Sequence, residues 1–175
     1  MRQITRTPWL PLLAVLVLAM PAAAQEKPKP IGQFKDWDTS SIREAGKLVC
    51  YSAAEPAEWT SQPKGANRGQ IAVIVSQRPG SNIQDEVGIK VGYKLKENSE
   101  VVAEVDGQKF NLFTKDEGAW AADAKTDKAL AEAMARGNTL LVKGTSVRGT
   151  ATTDRYSLAG FSAARDAARK ACNVR

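Results

Sequence analysis

The sequence predicts a mainly β fold: an antiparallel β-sandwich or partly open barrel with a short inserted helix and a C-terminal helix. Three observations carry this reading. Strand-like segments follow one another at hairpin distances, with Gly, Asn and Asp in the turns between them. The clearest of them has period two, Val87, Ile89, Val91 and Tyr93 alternating with Glu86, Gly88, Lys90, Gly92 and Lys94. Strand side chains point to opposite faces in turn, so one side of this element is core and the other is wet. Helical spacing occurs in only two stretches of the mature chain, which does not suit a repeating βαβ order.

The first 24 residues read as a secretory signal peptide. Arg2 and Arg6 give a positive start, an apolar stretch runs from Trp9 to Met20, and Pro21 precedes Ala22, Ala23 and Ala24. That run is too short to cross a bilayer core of about 30 Å, and the small residues suit cleavage after Ala24. Residues 25–30 form a polar, proline-bearing tether, and residues 31–175 one domain. Phe34 and Trp37 anchor an expected strand over residues 34–39, and a second covers 47–52. Residues 55–69 read as a polar loop holding Pro56, Trp59, Pro63 and Gly65, a place suited to recognition.

Residues 71–75 are apolar on both faces, as in a central strand. Residues 101–105 and 108–114 make a hairpin at Asp106-Gly107, whose residues tolerate the positive φ angles of a type I′ turn. Thr126 can cap a helix reaching Arg136, with a stripe of Ala129, Leu130, Ala133 and Met134 and Gly137 at its end. Strands follow over 139–143 and 150–158. The last helix starts at Ser162, buries Ala164, Ala167, Ala168, Ala171 and Cys172, and turns Arg165, Asp166, Arg169 and Lys170 to water. Connection hairpin by hairpin suggests a meander.

Removing the leader lowers the formal charge from +6 to +4, because it holds two arginines and no acid. The remaining basic residues are scattered, which argues against nucleic-acid binding, since that needs a concentrated basic stripe. Cys50 and Cys172 are the only cysteines and there is no histidine. In an exported chain the pair reads as a disulfide tying an early strand to the last helix, able to stabilise the fold by up to about 5 kcal/mol. No metal or cofactor motif is present. Asp85-Glu86 and Asp116-Glu117 read as solvated turn formers, and Asp123 with Asp127 lacks calcium-loop spacing. Lys143-Gly144-Thr145-Ser146 has the wrong order for a phosphate loop, and its Lys and Ser fall on opposite strand faces. Trp59 and Trp120 are the candidate recognition residues: a Trp can stack on a sugar or anchor a protein partner. Trp120, beside the apolar hairpin, reads more naturally as core cover.

Longer motifs then add up. Asp36-Trp37, Val49-Cys50-Tyr51, Glu86-Val87, Asp106-Gly107-Gln108-Lys109-Phe110, Phe113-Thr114-Lys115 and Gly118-Ala119-Trp120-Ala121 occur in that order. Lys143-Gly144-Thr145-Ser146, Arg148-Gly149-Thr150, Thr153-Asp154, Tyr156-Ser157-Leu158, Gly160-Phe161-Ser162-Ala163-Ala164 and Lys170-Ala171-Cys172 follow. Together they resemble the invasion-associated locus B family. The resemblance implies an exported protein of Gram-negative cells, periplasmic or secreted, with no family catalytic residue to carry over and an association with host-cell invasion in the family name alone. Asp38-Thr39-Ser40-Ser41 stands here where many members carry an early cysteine. The expectation is a non-enzymatic binding domain for a protein or an envelope or host-surface polymer, without cofactor or membrane anchor. The alternative is a structural or stress-related envelope factor, with an enzyme ranked last.

Overall fold

A computed structural model describes residues 26–174, so the expected leader lies outside the described residues. Its elements are β1 (Lys29–Phe34), β2 (Trp37–Glu44), β3 (Lys47–Ala54), β4 (Glu58–Gln62), β5 (Ala72–Arg78), β6 (Ile83–Lys90), β7 (Val101–Val105), β8 (Gln108–Lys115), β9 (Gly118–Trp120), α1 (Ala124–Arg136), β10 (Thr139–Thr145), β11 (Ala151–Ser157) and α2 (Phe161–Ala171). Within the described residues the strands form one antiparallel sheet in the order β1-β2-β3-β5-β6-β9-β8-β7-β10-β11-β4. The sheet is open, with β1 and β4 at its two ends. The mainly β class, the open barrel-like form and both helices agree with the sequence reading.

The meander holds only in pieces. β4 leaves its sequence neighbours and pairs with β11 at the far end of the sheet. Only residues 55–57 join it to β3, and so short a link spans no more than about 10–15 Å. The sheet must therefore curl until its two ends approach. This corrects the expected loop over 55–69: its middle is an edge strand, because pairing with β11 overrides a turn-rich local composition.

Two further boundaries move for steric reasons. The strand expected over 34–39 is broken by a turn at Lys35 (φ 53°) and Asp36, which sets Phe34 opposite Trp37. β1 begins at Lys29, so the last two residues of the expected tether join the sheet. β6 stops at Lys90 rather than running to Tyr93, because Gly92 (φ 71°) bends the chain and its carbonyl accepts from Gly69 N at 2.7 Å.

The inner face of the sheet carries Val73, Val75, Val87, Ile89, Ala103, Leu112, Leu140 and Val142 into one core. α1 lies against β6, and α2 lies across β1, β2 and β3. Trp37 is fully buried, its ring 4.6 Å from that of Phe161, and its Nε1 donates to Ser157 O at 3.1 Å. Asp123, not Thr126, caps α1 by accepting from Thr126 N at 2.8 Å. Within α1 the buried set is Asp127, Leu130, Ala131, Ala133 and Met134, and Ala129 is exposed. Gly160, not Ser162, caps α2; it has φ 90°, and a Cβ there would run into the Phe34 carbonyl.

The alanine face of α2 is narrower than expected. Ala164, Ala168 and Cys172 are buried, whereas Ala167 is half-buried and Ala171 exposed. Arg165 and Arg169 do not point to bulk water. They reach Asp85, which is 3% exposed on β6 and so is not a solvated turn former. Arg165 Nε donates to Asp85 Oδ1 at 2.9 Å and Arg169 Nη1 to Oδ2 at 3.1 Å, and Gln77 Nε2 donates to Oδ1 at 2.7 Å. Burial pushes the Asp85 carboxyl up, yet the donors and charges of Arg165, Gln77 and Arg169 outweigh it and hold the group below its ordinary value. Gln77 is the register partner of Cys50, and Cys50 is bonded to Cys172. The disulfide therefore ties α2 to β3 and the carboxylate lock ties it to β6, with Gln77 of β5 between them.

Candidate functional site

A cleft of about 290 Å³ opens where the chain crosses between the ends of the sheet. Asn67, Tyr93, Lys94, Ser146, Arg148, Thr150 and Thr152 are among its lining residues. Its floor follows from strand phase. Thr152, Asp154 and Tyr156 are buried on β11, while Thr153 and Arg155 between them are half-buried and exposed and Ala151 ahead of them is exposed. Thr152 Oγ1 and the Tyr93 hydroxyl share a hydrogen bond of 2.6 Å. Burial of Tyr93 raises its pKa further than that bond and Arg68 lower it.

Behind Tyr93 stands Arg68. Its side chain is 2% exposed, and that of Asp154, which it grips with both terminal nitrogens, is 0% exposed. Nη2 reaches Asp154 Oδ2 at 2.7 Å, and Nε and Nη2 donate to Val91 O at 3.0 and 2.7 Å. The guanidinium lies 5.1 Å from the Trp59 ring centroid and 5.2 Å from that of Tyr93. An arginine flanked by two aromatic rings gains cation–π attraction of roughly 0.5–2 kcal/mol per ring, more where water is excluded. Deep in this polar row the Tyr156 hydroxyl is fully buried and meets no hydrogen-bonding side chain or backbone group, and burial first, then Asp154, pushes its pKa up.

Of the two residues expected to recognise a partner, Trp59 remains 41% exposed on edge strand β4, between two shallow hollows lined by residues 59–62, 64 and 65 and by residues 55, 56 and 69–71. Trp120 lies on β9, with β8, β7, β10 and β11 between it and β4, so the structure does not bring the two together. Lys143 and Ser146 also part: Lys143 Nζ pairs with Glu104 at 2.9 Å, while Ser146 Oγ accepts from Arg148 N and Thr150 N to build the turn that presents Arg148. Asp116 and Glu117 are exposed in the β8–β9 turn, as expected. Among the described residues no cluster of three metal-ligating side chains occurs. No described helix is long and apolar enough to cross a membrane.

The sequence alone assigns no site role to Arg68, Tyr93, Arg148 or Asp154. One signal was present: Asp154 falls in phase with Tyr156 on a half-buried strand, so it had to be a buried charge in need of a cation.

Fold and site together define a disulfide-tied antiparallel β domain with a preformed, cation-rimmed polar cleft. The chain belongs to the Invasion associated locus B (IalB) protein family, whose model matches residues 37–169. No curated protein and no solved structure matches it.

Proposed function

We propose that this protein is an exported, non-enzymatic binding domain, periplasmic or secreted, that holds an anionic group of an envelope polymer in the cleft beside Trp59. The Trp59–Arg68–Tyr93 stack is the observation that carries this reading. Asp154 neutralises Arg68 and fixes it, so the wall of the cleft is rigid before any ligand arrives. Lys94 and Arg148 at the same cleft have no ion-pair partner among the described residues. Rigid walls with unspent cations and a row of hydroxyls suit a carboxylate or phosphate carried on a polar body. The two cysteines being joined supports an oxidising compartment.

The test is calorimetry of the mature protein with purified lipopolysaccharide and with soluble peptidoglycan fragments. Binding that Arg148→Gln weakens at unchanged melting temperature, and that Trp59→Ala weakens at a temperature where the variant is still fully folded, supports the reading. Absence of binding to both polymers, or binding indifferent to both variants, sinks it.

A further inference from the structure

The outer face of the sheet carries a second feature, on the opposite side from the buried row that floors the cleft. Ala53, Ile74, Gly88, Trp120 and Phe113 are successive register partners across β3, β5, β6, β9 and β8. They alternate with the buried Ala54, Val73, Val75, Val87, Ile89 and Ala119, so the row lies on the outer face. Trp120 lies down on the sheet because two of its neighbours have no side chain. A Cβ at Gly88 would sit 3.2 Å from the indole Nε1, and one at Gly118 would run into the six-membered ring. Phe113 adjoins it, ring centroids 5.9 Å apart, planes inclined by 33°, and is 51% exposed.

A basic row and a polar row bound this strip. On one side the register runs Lys90–Gly118–Lys115, and neither lysine has an ion-pair partner among the described residues. On the other it runs Tyr51–Ser76–Glu86, with Glu86 engaged by Arg78 Nε at 3.1 Å.

We propose that this strip is a stacking platform for an acidic polysaccharide. Strands lie about 4.8 Å apart, so Ala53 to Phe113 spans roughly 19 Å, while alternate residues along a strand are only about 6.7 Å apart. The apolar strip is thus long and one polymer chain wide. A stable dimer needs about 800 Å² from each partner with an apolar centre, which a strip of roughly 19 Å by 7 Å does not provide. An extended peptide would need backbone partners, and β5, β6, β8 and β9 are interior strands whose edges are already paired. What the strip offers is the exposed face and edge of aromatic rings, which suit the C–H face of a pyranose, beside two ammonium groups without ion-pair partners among the described residues, Lys90 also donating to Gln70 Oε1 at 3.4 Å, that suit acid groups on the same sugar chain.

The experiment follows the tryptophan indole N–H resonances of ¹⁵N-labelled protein during titration with oligogalacturonate and with sulfated dextran oligomers. Poly-L-glutamate and a dT oligonucleotide serve as acidic polymers without a pyranose, and sedimentation velocity monitors self-association. The acidic sugars are expected to move the Trp120 resonance, whether or not that of Trp59 at the cleft responds as well, and to leave that of the buried Trp37 in place. Phe113→Ala is expected to weaken binding about fivefold, and Lys90→Gln with Lys115→Gln about tenfold, at unchanged melting temperature. A stationary Trp120 resonance with both sugars, equal response to poly-L-glutamate or dT, no effect of Phe113→Ala, or self-association abolished by Phe113→Ala overturns the proposal. Movement of Trp59 alone also overturns it and leaves the cleft standing.

Discussion

Replacing Arg68 by Met removes the guanidinium that both closes the ion pair with Asp154 and separates the Trp59 and Tyr93 rings. The carboxylate it leaves behind is fully buried, and breaking a buried pair from one side costs about 3–5 kcal/mol because the remaining charge is uncompensated. Loss of four hydrogen bonds and two ring contacts is part of that same figure rather than an addition to it. For a domain of about 150 residues each kcal/mol moves the midpoint by roughly 2–4 °C, so the variant should melt about 6–20 °C below the parent. Circular dichroism on heating measures this, and urea titration by tryptophan fluorescence gives the free energy independently. Combining Arg68→Met with Asp154→Leu removes the orphaned charge and should recover most of the loss, because apolar groups of similar volume replace buried pairs at little or no cost. A single variant that melts within about 2 °C of the parent, or a double variant no more stable than the single, refutes the reasoning.

Two further outcomes follow from the same kind of accounting. Asp127 is 9% exposed at the start of α1; burial first, then the neighbouring acids Glu86, Asp123 and Asp85, push its pKa from 3.8 up to about 6 against the bond from Val87 N. A raised carboxyl favours the protonated native state, so stability falls as pH rises from about 4 through 6 and stays reduced above that. Asp127→Asn keeps an acceptor for Val87 N and should raise stability at pH 7.5 by up to about 3 kcal/mol and flatten the melting profile between pH 4 and 6; an equal loss of stability across that window in the variant contradicts this. Reducing the Cys50–Cys172 bond, which closes a separation of 122 residues, should cost about 2–5 kcal/mol, and a melting curve unchanged by reductant rules that out.

The class of fold was legible because hairpin turns and period-two alternation are local. Asp106-Gly107, with φ 45° and 95°, and the alternation of Val87 and Ile89 are where the sequence puts them. Contacts that join distant segments were hidden. Asp85 meets Arg165 across 80 positions and Arg68 meets Asp154 across 86, and a charged residue in a strand or helix looks solvated until its partner is known. The position of β4 was hidden for the same reason, since its pairing with β11 is a fact about the closed-up sheet and not about residues 58–62. For Trp120, a candidate recognition residue, the sequence favours core cover; only the register, which brings Gly88 and Gly118 beside it, shows that the ring lies on the outside.

Each of these locks fastens a segment that would otherwise be free at the rim of an open sheet. The disulfide and the Asp85 cluster hold α2, while Arg68 holds the crossing between β4 and β5. Stability alone does not call for charges in such places, since a well-packed apolar set serves as well or better. What a bidentate arginine in contact with two rings adds is direction: it fixes two aromatic planes and the Val91 carbonyl just past β6 relative to one another, which packing by Met and Leu does not. A preorganised wall lowers the ordering cost of binding. The double Arg68→Met/Asp154→Leu variant therefore separates the two roles. If it regains the parent's melting temperature while Trp59 emission shifts toward that of a solvated indole and binding at the cleft is lost, the buried pair is there for geometry. Full binding in that variant would make it a stability feature and nothing more.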